Sequence, residues 1–173
     1  MSRAVFPGRF QPFTNAHLSR LRWIQQSYPN LTVVVVIGDM GSLSHDNFLR
    51  AEERQEMVED VIAWAALRDV ATVVVPGVAP PFEWAASVLK AVPGASVVVT
   101  DNPFAYEPLA AAGLKVVTYE RTGVGACSLR LLPFADWEAL VPQPVFDYIA
   151  EHALYQRLAE LPFSGRYPFL RMR

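Results

Sequence analysis

Residues 8–17 read Gly-Arg-Phe-Gln-Pro-Phe-Thr-Asn-Ala-His, an unusual composition for a turn between two regular elements. Gly8 lets the backbone approach a ligand closely. Arg9 offers a planar, permanently charged fork that suits phosphate. Thr14 and His17 stand three apart, so both can lie on one face of a helix's first turn. The unpaired amides of that turn attract anions. A hydroxyl, an imidazole and a guanidinium gathered at a helix start describe a polyphosphate site. Thr14 also suits the N-cap of the same helix, and the two roles are compatible.

Such a site needs a strand before it and a helix after it. Arg3–Phe6 is a short candidate for the first strand, and Leu18, Leu21, Ile24 and Tyr28 recur at helical spacing. Further Val-rich runs at 31–37, 71–75, 95–100 and 114–119 predict strands buried on both faces. Met57, Val58, Val61, Ile62 and Ala65 mark a second helix, with Glu52, Glu53, Glu56, Glu59 and Asp60 as its polar side. A third spans about Phe82 to Ala91, and Asn102-Pro103 has the chemistry of a helix start. Phe146, Ile149, Ala150, Ala153, Leu154 and Leu158 form the stripe of a C-terminal helix. Strand-helix alternation predicts an α/β fold: one Rossmann-like doubly wound domain with a parallel five-stranded sheet, over 1–160, then a tail, 161–173. Ligands of such sheets bind at the carboxyl ends of the strands.

The chain has 173 residues with 15 Lys+Arg, 17 Asp+Glu and a net charge of -2. That balance argues against a protein that coats nucleic acid. The longest apolar run, Val61–Leu67, is far short of the roughly 20 residues of a membrane span. The polar, Gly/Pro-rich segment near the N-terminus leaves no apolar signal stretch. Cys127 is the one cysteine, so no intramolecular disulfide forms and the cytoplasm is the expected compartment.

The segment Thr14-Asn15-Ala16-His17 resembles the nucleotidyltransferase superfamily motif of Thr or His, two residues, then His. Gly-Arg-Phe-Gln-Pro-Phe resembles the archaeal-type nicotinamide mononucleotide adenylyltransferases. Asn47, Ala51, Glu53 and Arg54 sit where that family has Asn-Pro-Phe-Thr-Ala-Gly-Glu-Arg. Asn102-Pro103 matches its Gly-Asn-Pro, and Trp84 a tryptophan of its third crossover. Gly125 to Arg130 stands where the family has Ser-Gly-Thr-x-Ile-Arg, and Trp137 to Pro142 matches Trp-x-x-Leu-Val-Pro. The resemblance covers roughly residues 3 to 150.

It implies the reaction of ATP with nicotinamide mononucleotide to give NAD and pyrophosphate, by direct attack of the mononucleotide phosphate on the α-phosphorus. Catalysis would come from His17, Thr14, Arg9 and Arg130, by positioning two anions and neutralising charge on pyrophosphate. The resemblance assigns ATP binding to Gly8, Arg9, Phe10, Thr14, His17, Asn102, Arg121, Cys127, Ser128 and Arg130. It assigns the mononucleotide to Gln11, Arg54 and Trp84. Mg²⁺ would bind mainly through substrate phosphates, with no dedicated metal cage in the protein. The implied partners are these small molecules and further copies of the chain in a homo-oligomer, with no nucleic acid and no membrane.

Each role has a plainer alternative. Arg9, Arg121 and Arg54 could be solvated surface charges, Trp84 a core aromatic and Asn102 a helix cap. Cys127 has no evident partner base and is not expected to act as a nucleophile. The chain also departs from the family pattern. Thr14 replaces the usual first histidine, Ala16 a glycine, Cys127 a threonine and Pro81 an asparagine. Some relatives carry an arginine in the loop after the second strand, for which His45 and Arg50 are the candidates here. The alternatives are another nucleotidyltransferase of this fold, acting on phosphopantetheine, flavin mononucleotide or a phospho-alcohol, and a non-catalytic nucleotide sensor.

Overall fold

The computed structural model describes residues 2–77, 80–120 and 123–162. Five strands, β1 (Arg3–Gly8), β2 (Thr32–Asp39), β3 (Val70–Pro76), β4 (Ala95–Val99) and β5 (Lys115–Val117), form one sheet in the order β3-β2-β1-β4-β5. Every pairing is parallel, with Val5 opposite both Val34 and Val98. Strand ends lie within two residues of the sequence expectation. The order reverses beside β1, which opens a crevice at the carboxyl ends of β1 and β4.

Period-two alternation sorts the strand side chains between two cores. Ala4, Phe6, Val33, Val35, Ile37, Val97 and Val99 pack on one face. There they meet α1 (Asn15–Ser27), α2 (Ala51–Trp64), α6 (Gln143–Glu151) and α7 (Leu154–Glu160). Val5, Val34, Val36 and Val98 pack on the other face, against α3 (Pro81–Ala91) and α4 (Pro103–Ala111). The sheet is therefore wound on both sides, as the alternating pattern predicts. A four-residue helix, α5 (Ala126–Leu129), and a 3₁₀ segment, Phe134–Ala139, lead into α6.

Two expectations need correction. The runs at 71–75 and 114–119 are not buried on both faces: β3 and β5 are the edge strands, only Val75 is fully buried in β3, and no residue of β5 is. The C-terminal stripe is not one helix. Ala153 adopts φ 52°, in the left-handed region, and divides it into α6 and α7. Ala150 and Ala153 are exposed. The break lets Val145 and Ile149 of α6 and Leu154 and Leu158 of α7 reach the same core. Arg157 on α7 grips Glu53 on α2 through two bonds, Nη1 to Oε2 at 2.7 Å and Nη2 to Oε1 at 2.8 Å. Among the described residues no helix is long and apolar enough to cross a membrane. The expected tail lies, from residue 163 onward, outside the described residues.

Candidate active site

The crevice beside β1 is a cavity of about 700 Å³. Of the residues assigned from sequence, Gly8, Arg9, Phe10, Gln11, Thr14, His17, Trp84, Asn102, Cys127 and Arg130 line it. Arg121 lies outside the described residues. Arg54 and Ser128 do not line it.

At the end of β1 the chain turns sharply. Phe10 takes φ 49° and is buried, and a Cβ on Gly8 would stand 2.7 Å from the tip of its ring. Only glycine leaves room for that ring. Phe10 and Phe13 in turn flank the imidazole of His17, with centroids 5.1 and 5.3 Å away.

Thr14 is the N-cap of α1. Its hydroxyl accepts from the His17 amide at 3.4 Å, and its own amide donates to His17 Nδ1 at 2.9 Å. This is a capping box in which histidine takes the place usually held by Glu or Gln. An Nδ1 that accepts a hydrogen bond carries no proton, so the neutral ring bears its proton on Nε2. Both the N-cap role and the nearness to the cavity expected for Thr14 are therefore found together.

Gln11 is 2% exposed and bridges to the segment before α2. Its amide donates to Asn47 Oδ1 and to the Leu49 carbonyl at 2.9 Å, and its oxygen accepts from the Leu49 amide at 3.0 Å. Both Nε2 donors and one acceptor site of the oxygen are thus committed to protein.

Arg54 is no surface charge. It is 1% exposed and sits beneath the cavity floor. Its Nη1 donates to the carbonyls of Arg9 at 2.6 Å and Gly38 at 2.8 Å, and its Nε to that of Arg50 at 3.1 Å. It joins the loops that follow β1 and β2. Burial pulls its pKa down to about 10, against the opposing pull of Asp39 and Glu52. It remains a cation at neutral pH. Its Nη2 is buried with no hydrogen-bond partner among the described residues.

Arg130 follows α5 and is also buried. Nη1 donates to the Gln11 carbonyl at 2.8 Å and Nη2 to Asp46 Oδ1 at 3.3 Å, while Nε has no hydrogen-bond partner among the described residues. Of the candidates for the missing loop arginine, His45 and Arg50, neither lines the cavity. His45 lies buried near Arg130, and burial, then the Arg130 charge, hold its pKa below the usual histidine value. Arg50 is exposed and caps α2.

Asn102 is the N-cap of α4, accepting from the Phe104 amide at 3.1 Å. Trp84 is half-buried, one side on the core and one on the cavity. Cys127 is exposed at the rim. Sequence reasoning missed Arg20, Asp101 and Tyr119 in the lining. Arg20 lies one turn past His17 on α1, a spacing that points to it, and its guanidinium stacks 3.9 Å from the Tyr119 ring centre. Three lining arginines thus face one lining carboxylate among the described residues. The cavity favours polyanions.

A profile of the cytidylyltransferase-like family matches residues 5–76. Over 92% of its length the chain is 33% identical to a nicotinamide-nucleotide adenylyltransferase of Ignicoccus hospitalis, covering 97% of that protein. It is 31% identical to the enzyme of that name from Saccharolobus solfataricus, over 93% of this chain and 97% of that one. Among solved structures it resembles a bifunctional NMN adenylyltransferase/ADP ribose pyrophosphatase of Francisella tularensis, complexed with AMP and manganese. There the TM-score is 0.66 at 18% identity over 91% of this chain, and the chain spans about half of that protein, 51%. This likeness concerns the fold.

Proposed function

Because the chain belongs to the nicotinamide-nucleotide adenylyltransferase family, we propose that it transfers the adenylyl group of ATP to nicotinamide mononucleotide. The products are NAD and pyrophosphate. The observation that carries this is the Thr14–His17 capping box, set in a cation-lined cavity where the strand order reverses.

A 5′-phosphate oxygen of the mononucleotide attacks the α-phosphorus of ATP. The new P–O bond forms as the bond to the β-phosphate oxygen breaks, and pyrophosphate leaves with the electron pair. No protein nucleophile takes part. His17 donates from Nε2 to the phosphates as charge builds, and Arg9 and Arg130 neutralise the leaving group. Thr14 holds the imidazole, and the carbonyls of Arg9 and Gly38 are held by Arg54 from below. Gly8 and Phe10 shape the turn over which ATP lies, Asn102 and the Cys127 rim meet its nucleoside and phosphates, and Trp84 lines the nicotinamide side.

Mg²⁺ is the ion in this reading. Among the described residues no group of three or more His, Cys, Asp or Glu could hold a metal. Asp101 is the lining carboxylate that could approach such an ion, which would enter mainly on the substrate phosphates and would supply charge neutralisation there. The reading extends to a cytoplasmic enzyme and to a homo-oligomer.

Pyrophosphate release by purified protein with ATP and Mg²⁺ tests it. Nicotinamide mononucleotide, its acid form, flavin mononucleotide and phosphopantetheine are compared as acceptors. A nicotinamide-type acceptor should be used, and His17→Ala should lose about 10²-fold or more. Release only with another acceptor overturns the substrate.

A further inference from the structure

Asp46 lies in the loop after β2, outside every role assigned so far. Its Oδ1 stands 3.3 Å from Arg130 Nη2, and the two residues are 7% and 5% exposed. A buried guanidinium needs a counter-charge, and this is a carboxylate that does not itself line the cavity. It is held in place by its neighbour. Asn47 exchanges backbone hydrogen bonds with Ser44, donates to the Ser42 carbonyl at 2.7 Å, and is bonded by Gln11. The carboxylate therefore comes from a braced turn. The same guanidinium is bonded to the Gln11 carbonyl on the cavity wall. His45, the other titratable group here, has its pKa lowered by burial and then by the Arg130 charge, against an upward pull from Asp46.

We propose that Asp46 is a positioning residue for Arg130: it aims the guanidinium at the cavity and tempers its charge, so that pyrophosphate departs instead of remaining bound. This rests on the reading of Arg130 as a phosphate ligand. ATP and pyrophosphate both meet an arginine whose charge is already shared. A bare guanidinium at the same place would hold the product too long, and turnover would fall through slow release.

Pyrophosphate binding to the full-length chain, with Mg²⁺, measured by calorimetry on wild type, Asp46→Asn and Asp46→Glu, tests this. Asparagine keeps an acceptor oxygen for Arg130 but removes the charge. It should bind pyrophosphate about tenfold tighter, with a steeper salt dependence and a lower kcat, while KM for nicotinamide mononucleotide stays within about twofold. Asp46→Glu should bind as wild type does. Adding Arg130→Gln to Asp46→Asn should abolish the gain. Unchanged or weaker pyrophosphate binding in a cooperatively melting Asp46→Asn protein overturns the proposal, as does a gain that survives Arg130→Gln. Should Asp46→Asn not fold, Asp46→Ser makes the same test with a smaller acceptor. Binding is read without turnover. A chain that fails to make NAD yet shows the pyrophosphate response overturns the acceptor and leaves the Asp46 assignment standing.

Discussion

Arg54 reaches 45 positions back along the chain to bond the Arg9 carbonyl at 2.6 Å, and the same Nη1 holds the Gly38 carbonyl at 2.8 Å. One buried cation thereby fixes the two loops that form the cavity floor. Arg54→Met fills the volume but leaves those carbonyls unpaired. It should cost about 3 kcal/mol in urea unfolding, and KM for both substrates should rise because the floor loosens. Unchanged stability would mean that water replaces the guanidinium at little cost.

The Thr14 amide predicts the tautomer of His17. Nitrogen-15 NMR should find the His17 proton on Nε2 in the neutral ring, in wild type and in Thr14→Ala alike, because the donor is backbone. The substitution removes the hydroxyl cap and should cost about 1 kcal/mol of stability. A proton on Nδ1 would show that the capping box does not form in solution.

Gly8→Ala should disturb catalysis from outside the chemistry. The added methyl would press on the Phe10 ring, which is 3% exposed and packed against Phe6, Phe13 and His17. A loss of about 1–3 kcal/mol and a fall in kcat are expected, and Phe10→Leu in the same chain should recover part of the stability.

Trp84→Ala should separate the two substrates. An aromatic face lost from one side of the cavity should raise KM for the mononucleotide about five- to tenfold and leave KM for ATP near wild type. Equal effects on both would make Trp84 a packing residue.

The Glu53–Arg157 pair predicts an acid limb of stability. Burial pushes the Glu53 carboxyl up, but the bonds from Arg157 and from the Arg50 amide outweigh it and hold the pKa below the ordinary 4.5. A folded pKa lower than the unfolded one adds stability that is fully present above 4.5 and is lost as pH falls through the lower folded value. Glu53→Gln should therefore cost about 1–3 kcal/mol at neutral pH, and the difference from wild type should shrink below about pH 4.5 in acid titrations followed by circular dichroism.

Most of the architecture was legible in the residues alone. Val-rich runs separated by amphipathic stretches are local signals, and they place all five strands and the first four helices. Thr14 and His17 sit within one helical turn, so their partnership is also local. The C-terminal helix was misread because the apolar spacing from Phe146 to Leu158 continues through Ala153, while its left-handed turn is imposed by the need of both halves to reach one core.

The site itself was decided at longer range. Arg130 and Asp46 are 84 positions apart, Gln11 and Asn47 are 36 apart, and their pairing leaves no periodic trace. The motif residues announced a phosphate site through their types and spacing. Which of them face the cavity, and which, like Arg54, lie beneath it as a brace, depended on how strands β1, β2 and β4 bring their loops together. Secondary structure follows from hydrophobic period and caps, which are properties of neighbours in sequence. The partner of a buried charge is a property of the packed interior, where each polar group must find its match among whatever the fold sets beside it.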